Sequence, residues 1–245
     1  MKMKQELCRY EIHLYWKNRK SSYLETAILI NKTFTILSQL DEILKDLIFV
    51  ERESRKDLHL SFPDKRYDDR ALGDILYKEH KYWLNKMYPN VKHDINFKDH
   101  YGIVEIIKTK GEPLKVIKFT FNVGIKTGYS NIIVEFPRDF EREFDWYKKI
   151  LATLINIFEP DYGGLYPIVM QKLEPPKITG GWISYFSDEI KISEDTFSEC
   201  IKLPVLENKF MYEIEDNHMI RKNEEQFEKL RRLVEKFKKL NVIIS

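Results

Sequence analysis

The amino-acid sequence predicts an α+β fold in a single domain, residues 1–245, in which an antiparallel sheet is covered by amphipathic helices. Apolar and polar residues alternate near the N-terminus, and between Tyr101 and Phe136 a short apolar run is followed by two further alternating runs, which is typical of strands joined by short turns. Other stretches repeat apolar residues every three or four positions, which is typical of helices with one buried face. No linker rich in Gly or Ser and no internal repeat interrupts the sequence, which favours one domain.

The first strand is predicted at residues 10–16, where apolar residues from Tyr10 to Trp16 alternate with polar ones. Ser22 and Glu25 follow at the spacing of a capping box, in which each side chain accepts a hydrogen bond from the backbone N–H of the other residue. They predict a helix that continues to about residue 40. We expect this helix to cover the first strand and the strand to join the sheet of the later strands.

The next region, residues 51–70, is dense in charge and poor in apolar residues, which predicts a long surface loop. Apolar residues spaced along 72–87, among them Trp83 and Met87, predict a second helix that ends near Pro89. A meander of three strands is then expected near residues 103–136.

Five further elements are predicted in the second half of the chain. They are a helix at 139–158, a strand at 165–173, a segment Gly180-Gly181-Trp182 that leads into aromatic residues, a strand near 211–214, and a helix at 223–240. Two glycines before a tryptophan favour either a tight entry into a strand or an aromatic platform for a partner.

Composition places the chain among ordinary globular proteins. The net charge of +2 is nearly neutral and does not indicate a general nucleic-acid binder. Cys8 and Cys200 are the only cysteines, which gives no disulfide framework and fits a reducing compartment. The N-terminus lacks a signal core and no run is long and apolar enough to span a membrane, so the expected location is the cytoplasm.

One set of residues could carry enzyme chemistry. Asp161 and Glu189 could hold Mg²⁺, and Lys191 would point to the same strand face as Glu189 and help to activate water, as in a metal-dependent nuclease of the restriction-endonuclease type. The motif is short and its residue types are abundant here. The sequence contains no nucleophile elbow, phosphate-cradling loop or zinc signature, and we assign no catalytic, cofactor-binding or metal-binding residue.

Charge is distributed unevenly along the chain. Between Phe186 and Asp216 there are nine acids and three bases, which suits a contact with a basic protein surface or, alternatively, a solvated face without a partner. The tryptophan after the glycines could anchor such a contact, or it could fill the core. The candidate partner-binding residues are Trp182, Tyr185, Asp188, Glu189, Glu194 and Asp195.

Three pieces of the sequence together carry a family resemblance. They are Tyr15-Trp16-Lys17-Asn18-Arg19 with the capping box, the order of meander, helix and Phe158-Glu159-Pro160, and Gly181-Trp182-Ile183-Ser184-Tyr185-Phe186-Ser187. On these pieces the chain resembles the immunity protein 52 family of bacterial polymorphic toxin and type VI secretion toxin–immunity systems.

The resemblance implies an inhibitor that lies in the toxin producer's cytoplasm and binds a cognate effector, with no catalytic residue, cofactor, nucleic acid or membrane involved. The toxins associated with this family resemble nucleases of the restriction-endonuclease class. Two alternatives stay open. The chain could itself be a nuclease that uses Asp161, Glu189 and Lys191, or it could be an adaptor protein with another partner.

Overall fold

The computed structural model describes residues 6–17, 21–50, 57–64, 67–98, 102–108, 117–123, 129–137, 140, 142–168, 180–206 and 209–240. The predicted α+β class is confirmed, because the described residues form antiparallel strands and amphipathic helices. The chain divides into two compact units, Trp16–Val134 and Met1–Tyr15 with Glu135–Ser245. That both units belong to one domain stays a prediction.

The elements follow each other in this order: β1 (Tyr10–Lys17), α1 (Tyr23–Leu40), β2 (Asp46–Val50), β3 (Asp57–Ser61), α2 (Asp69–Met87), β4 (Gly102–Lys108), β5 (Ile117–Val123), β6 (Tyr129–Glu135), α3 (Phe144–Phe158), β7 (Tyr162–Pro167), β8 (Ile183–Phe186), β9 (Ile201–Leu206), β10 (Lys209–Glu213) and α4 (Glu224–Lys239). Short 3-10 helices lie at Glu42–Leu44 and Glu194–Phe197.

In the unit Trp16–Val134 the strand order is β3-β2-β4-β5-β6. The pairs β2–β3, β2–β4 and β4–β5 are antiparallel. The capping box at the start of α1 is confirmed: the Ser22 N–H donates to Glu25 Oε2 at 2.7 Å, and the Glu25 N–H donates to Ser22 Oγ at 3.1 Å. This reciprocal pair provides acceptors for two backbone N–H groups that have no hydrogen-bond partner within the helix.

The core of this unit is aromatic. The ring of Phe34 on α1 lies 4.9 Å from that of Phe119, 5.5 Å from that of Phe62 and 6.1 Å from that of Phe121. Helix α2 packs closely on α1 because Gly73 has no side chain; a Cβ there would lie 3.3 Å from Leu24 Cα. Burial of these rings contributes to the stability of the unit.

The prediction of a loop at 51–70 is wrong at residues 57–61 and 69–70, whereas the described residues 62–64 and 67–68 form turns and irregular chain. Residues 57–61 form β3, which pairs along its length with β2, and α2 begins at Asp69. Residues 51–56 and 65–66 lie outside the described residues. The charged composition concealed a short strand in which Leu60 is buried and whose hydrogen-bond partners come from a strand that precedes it.

In the unit Met1–Tyr15 with Glu135–Ser245 the strand order is β1-β7-β8-β10-β9, with antiparallel pairs throughout. Tyr10 contacts α3 through the rings of Phe144 and Tyr147, at 6.3 and 5.3 Å. Phe186 lies on the opposite face of the sheet and stacks on Phe237 of α4 at 5.2 Å. Helices α3 and α4 therefore cover the two faces of this sheet.

Some boundaries differ from those predicted. Helix α3 begins at Phe144 rather than near residue 139, and α4 begins after Asn223, whose side chain accepts a hydrogen bond from the Gln226 N–H at 3.2 Å. Strand β7 begins at Tyr162, and residues 169–173 of the predicted strand lie outside the described residues. Strand β9, which carries Pro204, was not predicted.

Candidate functional site

The glycine–tryptophan segment forms the entry into β8. The Trp182 N–H donates to the carbonyl of Leu165 at 2.9 Å, and the Trp182 carbonyl accepts from Ile214 N–H at 3.0 Å. Its indole Nε1 donates to the carbonyl of Asn217 at 2.7 Å. A side chain at Gly180 would lie 2.7 Å from Leu233 of α4. The segment therefore contacts three parts of the unit: β7, α4 and the residues that follow β10.

Trp182 and Tyr185 are core residues, each with 0% of its surface exposed. The two interpretations of the tryptophan that the sequence left open are therefore resolved in favour of a core side chain. The expectation that Trp182 and Tyr185 lie at a contact surface is corrected, because fully buried side chains cannot touch a partner. Their position instead holds β8 in place, and the acids follow directly after this strand.

The four candidate acids are exposed. Asp188 and Glu189 lie in the turn after β8, and Glu194 and Asp195 begin the 3-10 helix Glu194–Phe197. We call residues 188–195 the acidic segment. Its end is anchored by Phe197, whose buried ring stacks on Tyr212 with centroids 3.9 Å apart.

Exposed charge on an anchored turn is suited to contact with a partner. The Lys202 ammonium lies 3.3 Å from the Glu194 carboxylate. Because both side chains are exposed, this ion pair contributes little to stability. The acidic segment itself contains one base, Lys191, which is also exposed. The segment therefore presents an excess of negative charge to solvent.

The nuclease alternative depends on a strand that the structure does not form. Glu189 and Lys191 lie in a turn and the chain after it, so they do not share a strand face. Asp161 is buried, and its carbonyl accepts from Ser187 N–H at 2.7 Å. Within the part of the chain that the structure describes, no group of three or more His, Cys, Asp or Glu residues could hold a metal ion.

Sequence reasoning did not single out a charge cluster around Lys148 of α3, in which one acid is buried and two are exposed. Its ammonium lies 2.6 Å from Asp216, 2.8 Å from Asp145 and 3.7 Å from Glu213. Glu213 is 1% exposed, and its Oε2 has no hydrogen-bond partner. Burial raises the pKa of Glu213, whereas Lys148 opposes this shift. The cluster joins three separate chain segments, which explains why no local pattern revealed it.

This cluster predicts a pH-dependent stability. Folding raises the pKa of the Glu213 carboxyl group above its value in the unfolded chain, which is near 4.5. The protonated group therefore contributes its full stabilisation below pH 4.5, and this contribution is lost as pH rises through the pKa of the folded state. Glu213→Gln removes the group that titrates. We therefore expect urea unfolding to show that the parent protein loses stability relative to Glu213→Gln as pH rises above about 4.5.

Asp64→Asn is the control for this prediction, because it removes an exposed carboxylate that lies outside this cluster and leaves Glu213 and its charged neighbours in place. It should keep the parent's pH dependence. Parallel pH profiles of the parent and Glu213→Gln would contradict the prediction.

A cavity of about 140 Å³ lies beside α4 and is lined in part by Cys200, Arg232 and Lys236. Glu199 neutralises the two bases, at 3.1 Å from Arg232 and 3.3 Å from Lys236. Burial raises the pKa of the Cys200 thiol to about 11, so the thiol is protonated and a poor nucleophile at neutral pH. These contacts give the cavity no feature of a catalytic site.

Helix α2 carries apolar side chains that the structure leaves uncovered. Trp83 and Met87 are among the apolar residues whose spacing predicted this helix, and they are 51% and 45% exposed. Helical periodicity predicts which residues share a face, but it does not predict how far along the helix the core extends.

Comparison with protein-family models and with curated proteins finds no match. Among solved structures, the fold is similar to that of the Pseudomonas aeruginosa T6SS protein PA0821, with a TM-score of 0.53 and 10% sequence identity. The likeness covers 94% of this chain and 76% of that one. At this identity it shows a shared fold. It therefore agrees with the α+β architecture and leaves the family unassigned.

None of the helices that the structure describes combines the length and the apolar character that crossing a bilayer requires.

Proposed function

We propose that this protein is an immunity protein that binds and neutralises a cognate secreted bacterial toxin in the cytoplasm of the producing cell. The proposed toxin is a nuclease effector of a type VI secretion system. The protein acts in this proposal as a binding protein and not as an enzyme, and it needs neither cofactor nor direct contact with nucleic acid or membrane.

The observation that carries the proposal is the likeness of fold to a protein named as a T6SS protein, which extends over 94% of this chain. It agrees with the independent sequence resemblance to an immunity family of the same secretion systems. An inhibitor requires only a complementary surface, so the proposal is also consistent with a candidate site that lacks catalytic geometry.

Electrostatics supports the acidic segment as one contact site. Nucleases present basic surfaces because their substrate carries phosphates. Acids placed opposite such a surface accelerate encounter and favour the correct partner. The four acids of the segment are exposed and stand on a turn that the buried Phe197 anchors.

The proposal is tested by co-expression with the toxin whose gene adjoins that of this protein. We expect growth to be restored and a stable complex to be recovered. Expression of this protein with an unrelated nuclease toxin should not restore growth. Purified alone, it should cleave neither DNA nor RNA in Mg²⁺ or Mn²⁺, and metal-dependent cleavage that Glu189→Ala abolishes would favour the nuclease alternative.

Charge reversal of the acidic segment should weaken toxin binding. Replacing Asp188, Glu189, Glu194 and Asp195 by Lys is expected to raise Kd at least about tenfold, roughly 1.4 kcal/mol, because favourable charge pairs become repulsive. The dependence of Kd on salt concentration should also flatten. Calorimetric titration across a salt series measures both effects.

A matched control reverses four exposed acids elsewhere in the chain, namely Glu42, Asp64, Glu143 and Glu235. It changes the net charge by the same amount and should affect Kd much less. If the reversed acidic segment binds like the parent, or if both sets of substitutions weaken binding equally, the segment is not the contact site.

A further inference from the structure

Exposed apolar side chains gather at the C-terminal end of α2. Among the described residues, four of the nine exposed large hydrophobic side chains lie within ten residues of one another. They are Tyr82 at 60%, Trp83 at 51%, Met87 at 45% and Val91 at 47%. Single exposed apolar residues are ordinary, whereas a group of them indicates an interaction site.

Two of these side chains continue an apolar stripe that is buried earlier in the helix. Leu72 and Leu76 are 1% and 0% exposed, and Trp83 and Met87 follow Leu76 at helical spacings of seven and eleven residues. These spacings keep all four on one side of the helix. Leu84 is 0% exposed, so this end of the helix is still anchored in its unit. The uncovered half of the stripe is thus held by a packed helix.

The aromatic side chains at this surface also contact each other and a base. The rings of Tyr82 and Trp83 meet edge to face with centroids 5.3 Å apart. The Lys86 ammonium lies 5.4 Å from the centre of the Trp83 ring. Such contacts hold the rings in place before a partner arrives, which lowers the entropic cost of binding. Tyr and Trp are also the residue types that most often dominate interface energetics.

The charge around the rings is positive. Lys78, Lys81, Lys86 and Lys92 are exposed, and none of them forms an ion pair with another part of the described chain. Two acids lie close by in sequence: Glu79, which is half-buried one turn before Trp83, and Asp94, which accepts a hydrogen bond from the Asn96 N–H at 2.8 Å. The four lysines outnumber these two acids. A partner surface that is complementary to this region must therefore combine an apolar pocket with carboxylates.

We propose that Tyr82, Trp83, Lys86, Met87 and Val91, together the α2 patch, form a second contact site for the toxin. This inference rests on the proposed function. The α2 patch is complementary to an apolar pocket rimmed by Asp or Glu side chains, whereas the acidic segment is complementary to a basic surface. Two sites with opposite charge requirements discriminate between toxins more strongly than one, because a wrong partner must satisfy both.

A protein partner fits the patch better than a nucleic acid does. A single strand would stack bases on Tyr82 and Trp83 and place phosphates near the lysines. Met87 and Val91 offer no ring for stacking, and they extend the apolar surface beyond the aromatic pair. An apolar protein pocket uses all four side chains.

Titration of catalytically inactivated toxin against variants of the full chain tests this inference. Trp83→Ala is expected to raise Kd at least about tenfold, as truncation of a central aromatic anchor does. The double variant Lys81→Glu and Lys86→Glu should raise Kd at least about threefold and change its salt dependence. Ile28→Ala, at 42% exposure on α1, and Lys32→Glu are the matched controls and should bind like the parent.

Fluorescence provides a second readout on the unaltered protein. Of the four tryptophans, Trp16 and Trp182 are buried and Trp146 is half-buried, so iodide should quench Trp83 most strongly and Trp146 in part. The difference between the parent and Trp83→Phe isolates the Trp83 signal. Toxin binding should reduce the Trp83 quenching. Unchanged quenching in the complex overturns the inference, as does equal binding by all α2 variants.

Two further outcomes would assign the patch to another partner and overturn the inference. Protection of Trp83 by a single-stranded oligonucleotide without toxin would indicate a nucleic-acid site. Protection that rises with protein concentration alone would indicate a second copy of this chain. If the parent binds no toxin at all, it is the proposed function that fails.

Discussion

Trp182→Ala is expected to lower the free energy of unfolding by about 3 to 5 kcal/mol, the range for removing a large buried aromatic side chain. Trp182 is the largest of the fully buried side chains in the described chain. Its loss leaves a cavity between β7 and the segment after β10, and it removes the indole hydrogen bond to the carbonyl of Asn217. Urea unfolding followed by circular dichroism measures the change.

Trp83→Ala is the matched control, since the same side chain is removed from a site that is 51% exposed. It should lower the free energy of unfolding far less, by on the order of 1 kcal/mol, because the side chain is half-exposed and loses its contacts with Tyr82 and Lys86. A loss below about 1 kcal/mol for Trp182→Ala would contradict its position in the core. The pair also separates stability from binding, because Trp83→Ala is expected to weaken toxin binding without unfolding the protein.

Gly164→Ala is expected to destabilise the protein by about 3 kcal/mol, the upper part of the range for an overpacked core site. A Cβ at this position would lie 2.0 Å from the carbonyl oxygen of Ile183. This oxygen belongs to the neighbouring strand β8, so the clash is relieved only if β7 and β8 separate. The unfolding midpoint and the free energy in urea should both fall.

Gly73→Ala serves as the comparison. There a Cβ would approach Leu24 Cα to 3.3 Å, a tight contact but not an overlap. A helical Ala is favoured over Gly by about 0.5 to 1 kcal/mol, which offsets part of the strain. We expect a net change within about 1 kcal/mol. Equal effects of the two substitutions would show that close backbone approach does not determine the cost at Gly164.

Local signals in the sequence predicted much of the fold. The capping box at Ser22 and Glu25 and the alternation along β1 depend on residues within one turn or one strand, so they can be seen without knowing distant contacts. Strand β3 was missed because its two apolar residues lie in charged sequence and its pairing comes from β2. A short strand needs its partner to be stable, and the partner is not visible locally.

The candidate site was predictable only in part. Exposure of the four acids followed from their charge. Burial of Trp182 depends on Leu165, Ile214 and Asn217, which lie in other segments of the chain, so the sequence left two interpretations open. Neither the cluster of Lys148 and Glu213 nor the α2 patch could be predicted, because both depend on where the core begins and ends. Local periodicity in the sequence does not reveal these limits.

Inhibition of the toxin by the purified protein tests the proposed function most directly. The active toxin whose gene adjoins that of this protein is assayed on DNA and RNA at a concentration above Kd while this protein is added stepwise. We predict that nuclease activity falls in proportion to the protein added and is abolished once the toxin is saturated, and that the variant with a reversed acidic segment requires more protein. Full nuclease activity in a large excess of folded protein would contradict the account.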